Sequence, residues 1–417
     1  MLPLQGKTLV LCVMGGIAAF KAVELASRFV KLGATVDVIM TEAAQEFIRP
    51  LSFQSLTKRP VITDMFRLLS DMNIGHVALG ERADVVVIAP ATANTIAKLA
   101  AGLSDDMLTC TVLATTAPVV VVAAMNDLMY ANVATQENVV RLRERGFTIV
   151  EPEYGRLASG KMGKGRMVEV PEIVGVVRGV LGRNGDFAGK RVVVTAGGTR
   201  EPIDPVRYIT NRSSGRMGYA LAESARDRGA RVTLITTPST VPRPTGVEVV
   251  QVLTAREMLD AVLRACEGAH VLVMAAAVAD FRVAQTAPEK IKKGESEEVQ
   301  LTLVRNPDIL QTVGERFGEG LPVKVGFAAE TESLVANARE KLVRKRLDLV
   351  VANDVTKEGS GFGTETNEVV LVDAEVEEEL PLLSKYEVAL RVLDAARRAL
   401  IRKEAAAARS SEPGGGQ

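Results

Sequence analysis

Two glycine pairs, Gly15-Gly16 and Gly197-Gly198, each stand directly behind a run of small and β-branched apolar residues, Thr8–Met14 and Arg191–Ala196. Such runs are too short for a buried helix and lack the alternation of a half-exposed strand, so they predict strands buried on both faces. Helical stretches follow, Ile17–Lys31 stopped by Gly33 and Met217–Arg228 stopped by Gly229. Further strand-like runs are Val36–Met40, Asp84–Ala89 and Val119–Ala124 in the first half. The second half adds Val232–Thr236, Val247–Val252, Val271–Ala275, Val323–Phe327 and Leu347–Val351, with Asn367–Val372 as an edge strand and a helix over Ser384–Arg402. Strands alternating with helices imply right-handed parallel crossovers. The fold class is therefore α/β: two tandem doubly wound, Rossmann-like parallel-sheet domains. Turn residues at Leu181–Asp186 put the first domain at 1–185 and the second at 186–404. Residues 405–417, ending Ser-Ser-Glu-Pro-Gly-Gly-Gly-Gln, have the composition of a disordered tail.

Composition narrows the function. Lys+Arg and Asp+Glu are 51 each in 417 residues, so no bulk field draws the chain to nucleic acid or an anionic membrane. Aromatics are 4% and tryptophan is absent, which argues against base-stacking platforms. No apolar stretch approaches the roughly 20 residues that span a bilayer. Cys12, Cys110 and Cys266 lie far apart, with no CxxC pair and two histidines in all, which speaks for a reducing cytoplasm over a disulfide framework or a structural zinc site.

In open α/β sheets ligands bind beyond the carboxyl ends of strands. The residues there in the first half are Gly15-Gly16-Ile17, Thr41, Pro90-Ala91-Thr92, Thr95 and Asn126. Glycines allow close approach of backbone, free helix-start amides suit a phosphate, and the threonines add hydroxyls. GxGxxG and GxxxxGK[ST] are both absent, so the arrangement favours a mononucleotide such as FMN over NAD or a P-loop nucleotide. A Gly-Gly turn alone also serves plain βα geometry. His76 is a packed residue or a proton carrier, and Asn126 is suited to grip a carboxylate. Tyr154–Met167, with four glycines and four cations, reads as a lid over an anionic substrate or as a solvated loop. In the second half Gly197-Gly198-Thr199 offers amides, and Asn211, Ser213 and Ser214 precede a helix. Arg207 supplies a fork for phosphate or carboxylate, and Asp280 follows a strand where it can hold a ribose or Mg2+. Asp308 is first of all a helix N-cap. Lys341 and Lys345 share a helix face and, with the Lys290-Ile-Lys-Lys run, read by themselves as solvated surface.

Several longer stretches carry a resemblance. Gly-Gly-Ile-Ala-Ala-Phe-Lys (15–21), Pro-Ala-Thr-Ala-Asn-Thr (90–95), Ala-Met-Asn-Asp-Leu-Met (124–129) and Gly-Lys-Gly-Arg-Met (163–167) resemble the flavin-dependent cysteine decarboxylases. Residues 195–207, 209–215, 275–281, 290–293 and 306–310 resemble phosphopantothenate–cysteine ligase. Together they resemble the bacterial bifunctional enzymes of coenzyme A biosynthesis, over about residues 5–400. The resemblance implies FMN at the first set of strand ends, with His76 as active-site histidine and Asn126 on the substrate carboxylate. It implies oxidation of the cysteinyl thiol of 4'-phosphopantothenoylcysteine, loss of CO2 and reduction to 4'-phosphopantetheine. For the second half it implies CTP and Mg2+ as reactants of an acyl-cytidylate route joining 4'-phosphopantothenate to L-cysteine. Ala275, Ala276, Asp280, Lys290, Asn306, Pro307, Asp308, Ile309, Phe327, Lys341 and Lys345 match CTP positions, and Arg207, Asn211 and Ala277 the acyl-cytidylate region. It also implies flavin-domain trimers, ligase-domain dimers and a dodecameric homo-oligomer. One departure stands out: the lid reads Leu157-Ala158-Ser159-Gly160 where well-studied members carry a proton-donating cysteine. Either Ser159, a water or another lid group delivers that proton, with Cys12 or Cys110 as spatial candidates, or the chain acts as a ligase only.

Overall fold

The computed structural model describes residues 3–66, 75–292, 298–330, 334–354, 361 and 363–411. Its contacts divide the chain into two units, Met1–Leu181 and Gly182–Gln417. In the first, strands β1 (Thr8–Val13), β2 (Thr35–Met40), β3 (Val61–Ile62), β4 (Val85–Ala91), β5 (Val119–Ala123) and β6 (Thr148–Val150) form one parallel sheet. Its order is β3-β2-β1-β4-β5-β6. The chain leaves β1 toward β2 and later returns beside β1 as β4, so the switch point where ligands gather lies between β1 and β4. Side chains of β1 alternate between two cores: Leu9, Leu11 and Val13 enter one, Val10, Cys12 and Met14 the other. That two-sided burial is why the run shows no polar alternation. Helix Ala19–Lys31 buries Ala19, Ala22, Leu25, Ala26 and Phe29, a single stripe at helical spacing, and places Arg28 and Lys31 in its last turn. A two-stranded hairpin, β7 (Glu153–Arg156) and β8 (Met162–Arg166), follows β6.

The second unit repeats the plan. Strand β9 (Arg191–Ala196) is followed by a small hairpin, β10 (Arg200–Pro202) and β11 (Tyr208–Thr210). Then come β12 (Arg231–Thr236), β13 (Glu248–Gln251), β14 (Val271–Met274), the hairpin β15 (Phe281–Val283) and β16 (Leu303–Arg305), β17 (Val323–Glu330), β18 (Leu349–Asp354), β19 (Thr366–Val372) and β20 (Glu377–Ser384). The main sheet runs β13-β12-β9-β14-β17-β18-β19-β20, with the switch point between β9 and β14. It is not wholly parallel: β18–β19 and β19–β20 are antiparallel. Asn367–Val372 is thus the penultimate strand, and the edge is β20. Its Glu-Glu-Glu-Leu-Pro-Leu-Leu sequence hides a strand because Pro and charge suit a sheet edge and little else in a sheet.

Helix Lys385–Ser411 continues through Ala405–Ser411, where composition suggested a disordered tail. Four consecutive alanines, the strongest helix formers, carry it on, and Glu404 just before them is bridged by Lys190 at 2.5 Å. Residues 412–417 lie outside the described residues. Among the described residues no helix is long and apolar enough to cross a membrane.

Candidate functional sites of the two units

In the first unit the strand-end residues come together at the carboxyl edge. A Cβ on Gly15 would stand 2.5 Å from Ala43 Cβ, so only glycine lets the loop after β1 lie against the loop after β2. A Cβ on Gly16 would meet Thr92 Cγ2 at 3.9 Å, which places Gly16 beside the loop after β4. Ile17 is 64% exposed, and helix Ala19–Lys31 begins without any side-chain cap; Ala19 N donates to Gly16 O at 2.9 Å and Lys21 N to Ala18 O at 3.0 Å, while the amide of Phe20 has no partner among the described residues. Thr41 and Thr92 cap the next helices, their Oγ1 atoms accepting from Ala44 N at 3.2 Å and Thr95 N at 3.3 Å. Thr92 and Thr95 also share a hydroxyl–hydroxyl bond of 3.1 Å. Pro90 and Ala91 end β4, both buried, and the Ala89–Pro90 peptide is cis.

Asn126 caps helix Asp127–Ala131 through Oδ1, which accepts from Leu128 N at 3.0 Å. Its exposed amide nitrogen has no partner among the described residues. His76, half-buried, opens helix His76–Arg82, two residues from β4; that helix is roughly 10 Å long, which sets His76 toward the carboxyl edge. Among the described residues no hydrogen bond ties it to the other loops.

The glycine-rich basic segment is a hairpin rather than a disordered loop. A Cβ at Gly165 would lie 2.1 Å from Met125 O, and one at Gly163 would lie 2.7 Å from Asp127 Cβ. Both glycines are there so that β8 can press against the turn carrying Asn126, a fit sealed by Met125 N donating to Gly165 O at 3.0 Å. Its cations are partly committed: Lys164 pairs with Glu151 at 2.5 Å and Arg166 with Glu169. Lys21 fastens the far end, donating to Met167 O at 3.0 Å. Ser159 sits at the exposed hairpin tip. Both candidate cysteines are weakened as acids. Cys12 is fully buried in β1, which pushes its thiol far up, and Cys110 is raised by burial and by Asp106 while donating to Ser104 O at 3.4 Å.

In the second unit a cleft of about 1060 Å³ opens at the switch point. Asn211, Ala275, Ala276, Ala277, Asp280, Asn306, Pro307, Asp308, Ile309, Phe327, Lys341 and Lys345 all line it. Arg207 and Lys290 do not. Arg207 instead donates to Ile291 O at 2.9 Å, Lys290 is exposed, and Lys293 falls outside the described residues. The turn that carries Arg207 is built on Asp204. Burial alone would raise its carboxyl, but the amides of Val206, Arg207 and Ile291, at 2.8, 2.7 and 3.2 Å, hold it below the usual carboxylate range.

The Gly197-Gly198 pair works differently from Gly15-Gly16. Its backbone is committed: Ala277 N donates to Gly197 O at 2.8 Å, and Gly198 bridges Ala277. Thr199 is buried, its Oγ1 accepting from Ala279 N at 2.9 Å. Of the expected amides, that of Thr199 is spent on Ala277 O at 3.3 Å, and further uncapped amides lie at helix Arg216–Arg226, which starts after left-handed Gly215 without a side-chain cap. Gly218 lets that helix touch the strand, since a Cβ there would lie 2.5 Å from Ala196 Cβ.

Asp308 is an N-cap, accepting from Gln311 N at 3.1 Å, and also pairs with Lys345 at 2.8 Å. Lys341 and Lys345 thus face the cleft rather than bulk solvent. Asn211 and Asn306 anchor the wall after β14 by donating to Val278 O at 3.0 Å and Ala279 O at 2.8 Å. Sequence reading missed Arg216, Arg305, Arg344 and Lys385. With them the cleft carries six cationic side chains against the two carboxylates Asp280 and Asp308, a polyanion's environment. Arg216 was legible as the first residue after a helix-starting glycine. Lys385 had no such signal, since a cation at a helix start opposes the dipole. Burial and the Arg216 charge push its ammonium down to about 8. Among the described residues no three His, Cys, Asp or Glu side chains converge as a metal cage.

Comparisons with known proteins bear on both units. Residues 2–182 match the flavoprotein family, and residues 187–400 match the DNA/pantothenate metabolism flavoprotein C-terminal domain. The coenzyme A biosynthesis bifunctional protein CoaBC of Vibrio vulnificus is 45% identical over 94% of this chain and 97% of its own length. That of Bacillus subtilis is 45% identical over 94% and 96%. A crystal structure of the C-terminal domain of a CoaBC protein is 38% identical, covering 52% of this chain and 98% of that one, with a TM-score of 0.45. The chain belongs to the CoaBC family of bifunctional coenzyme A biosynthesis proteins.

Proposed function

We propose that the second unit joins 4'-phosphopantothenate to L-cysteine at the expense of CTP, and that the first decarboxylates the resulting 4'-phosphopantothenoylcysteine to 4'-phosphopantetheine. The observation that carries the ligase reading is the cleft that gathers Asn211, 213–218, 275–281, 305–311, Phe327, Lys341 and Lys345 under a cationic excess. The substrate carboxylate attacks the α-phosphate of CTP, pyrophosphate leaves, and the cysteine amine then displaces CMP from the acyl-cytidylate. The uncapped amides of helix Arg216–Arg226 receive a phosphate, while Lys341 and Lys345 offset charge on the departing pyrophosphate. Arg207 and Asn211 orient the acyl group, and Lys290 closes over it. Mg2+ fits a site made of the triphosphate with Asp280, since this ion is commonly held by one or two carboxylates plus substrate phosphates. It would supply charge neutralisation.

In the first unit the uncapped helix start behind Gly15-Gly16-Ile17, with the hydroxyls of Thr41, Thr92 and Thr95, fits the phosphate of FMN. Bound there, FMN would supply two-electron oxidation and re-reduction at the substrate's thiol-bearing carbon. The chain's own part is to bind and orient. Asn126 keeps its Nδ2 protons free for the substrate carboxylate because Oδ1 is spent on Leu128 N. His76 presents a protonatable ring at the same edge. The hairpin excludes water, and Ser159 at its tip relays a solvent proton, a hydroxyl being too weak an acid to replace a thiol of pKa about 8.5.

The ligase-only alternative is not favoured, because relatives at 45% identity span both halves. Three unpaired cysteines accord with action in the cytoplasm, and exposed Ile17 and Phe20 accord with a homo-oligomer of trimeric flavin units and dimeric ligase units. A mass-resolved time course with FMN, CTP, Mg2+, cysteine and phosphopantothenate tests the whole. Accumulating phosphopantetheine is the expected result, arrest at phosphopantothenoylcysteine would confine the activity to the ligase, and no acyl product would overturn the proposal.

A further inference from the structure

Lys385 occupies the first position of helix Lys385–Ser411, where a cation opposes the helix dipole. It is 7% exposed, lines the cleft and has no carboxylate partner among the described residues. Its Nζ lies 3.3 Å from Gly361 O, 2.6 Å from Thr364 O, 3.0 Å from Thr364 Oγ1 and 3.0 Å from Thr366 O. An ammonium has three protons. Four oxygen acceptors therefore exhaust it, and nothing is left to donate to a ligand. Its neighbours, however, reach the cleft. Gly361 and Asn367 line the wall, and Asn367 Oδ1 accepts from Gly361 N at 3.3 Å. Glu365, in the same turn, pairs with Arg216 at the start of the helix whose open amides face the cleft.

We propose that Lys385 is a positioning residue of the ligase site: it fastens the turn through Gly361, Thr364 and Thr366, which carries Glu365 to Arg216 and so sets the anion-receiving end of helix Arg216–Arg226. This rests on the ligase reading above. A buried lysine is costly unless its charge is used, and here carbonyl oxygens use it. Arg216 meets Glu365 across the cleft, and the Lys385 amide adds a bond to Glu365 O at 3.0 Å, so backbone and side chain of Lys385 hold the turn together. Loss of the turn loosens nucleotide binding in the ground state and the transition state alike, which raises KM and leaves kcat near its starting value.

The test uses the full chain and follows pyrophosphate release with CTP, Mg2+, phosphopantothenate and cysteine. Lys385→Met keeps the aliphatic stem and removes the donors. The expected result is a KM for CTP raised at least tenfold, with kcat within threefold and CO2 release from phosphopantothenoylcysteine unchanged. Lys385→Arg restores donors and is expected to recover most of the KM. Thr364→Val removes one of the four acceptors without leaving a buried charge alone, and is expected to raise KM two- to fivefold; it serves if Lys385→Met does not fold. A fall in kcat at unchanged KM would overturn the positioning role in favour of direct contact with reacting groups. Unchanged kinetics in both Lys385→Met and Thr364→Val would overturn it outright. If the wild-type chain itself releases no pyrophosphate, the ligase reading fails and takes this proposal with it.

Discussion

Replacing Gly165 by alanine puts the assembly of the first site to a direct test. The added methyl would stand 2.1 Å from Met125 O. That atom belongs to backbone and cannot rotate away, so hairpin and turn must separate by roughly 1 Å to restore van der Waals contact. Overpacking of this kind costs about 1–3 kcal/mol, and losing the Met125 N to Gly165 O bond adds about 0.5–1.5 kcal/mol. The sum of about 1.5–4.5 kcal/mol lowers the melting temperature of the flavin unit by about 3–18 °C. Function should suffer more than stability, because the displaced turn carries Asn126 and the hairpin carries Ser159. A misplacement of about 1 Å can cost on the order of 100-fold in rate. CO2 release in Gly165→Ala is therefore expected to fall by about 10–100-fold, with pyrophosphate release by the other unit unchanged. Lys164→Ala is the control: it deletes a surface ion pair with Glu151, worth roughly 0–1 kcal/mol, and leaves the backbone contact alone. Wild-type melting and CO2 release within threefold of wild type in Gly165→Ala would refute the contact and the hairpin's role together.

Asp204→Asn turns a buried acceptor of three amides into a partial donor, and is expected to raise the ligase KM tenfold or more while sparing CO2 release, because Arg207 and the Lys290 segment lose their anchor. Steady-state kinetics on both half-reactions check this. Lys324 gives a pH signature. Its burial, then the charge of Lys403, pushes the ammonium down to about 8, against roughly 10.5 in the unfolded chain. Between those values the unfolded chain binds more protons, so this lysine's contribution to stability rises with pH from about 8 to 10.5. In Lys324→Met that rise should vanish, which urea titrations of the ligase unit across the window will show or deny. Ser159→Cys should quicken the last step of decarboxylation and Ser159→Ala should slow it less than tenfold, both read by single-turnover mass spectrometry. Ala406→Gly with Ala408→Gly should cost about 1 kcal/mol per residue of local helix stability and speed hydrogen exchange at 405–411. No change would mean that the tail is not helical.

The strands buried on both faces were legible because burial there favours apolar residues: β4 and β5 read as unbroken apolar runs, and β1 and β9 depart from one only at Thr8, Arg191 and Thr195. The two-residue β3, the polar edge β20 and all three hairpins left no such trace, since strands with one or no buried face keep charged and glycine residues. At the site, local signals such as Thr41 and Thr92 before a helix were readable, because a cap is decided within four residues. The partnership of Lys345 with Asp308 and that of Lys385 with Thr364 were not. Each joins positions dozens of residues or a whole loop apart, and only the closed sheet sets them face to face.

The two units share a topology yet place their anion ends differently, and the cause is the length of chain between each glycine pair and its helix. After Gly16 the chain goes almost at once into helix Ala19–Lys31, so the pair itself brings the uncapped helix start to the switch point. After Gly198 it detours through the β10–β11 hairpin before reaching helix Arg216–Arg226. The pair is then free for another task, and its backbone goes to pinning the wall after β14 through Ala277. That wall and the relocated helix start enclose a cleft wide enough for a nucleotide and an acyl chain, where a direct strand–turn–helix passage offers a phosphate seat alone. The hairpin inserted between Gly198 and Gly215 also brings in Arg207 and Asn211, the groups assigned to the acyl partner, and Asp204, which anchors the turn of Arg207. Under the proposed function the same short motif serves cofactor binding in one half and a two-substrate ligation in the other, and the difference lies in the inserted hairpin rather than in the glycines.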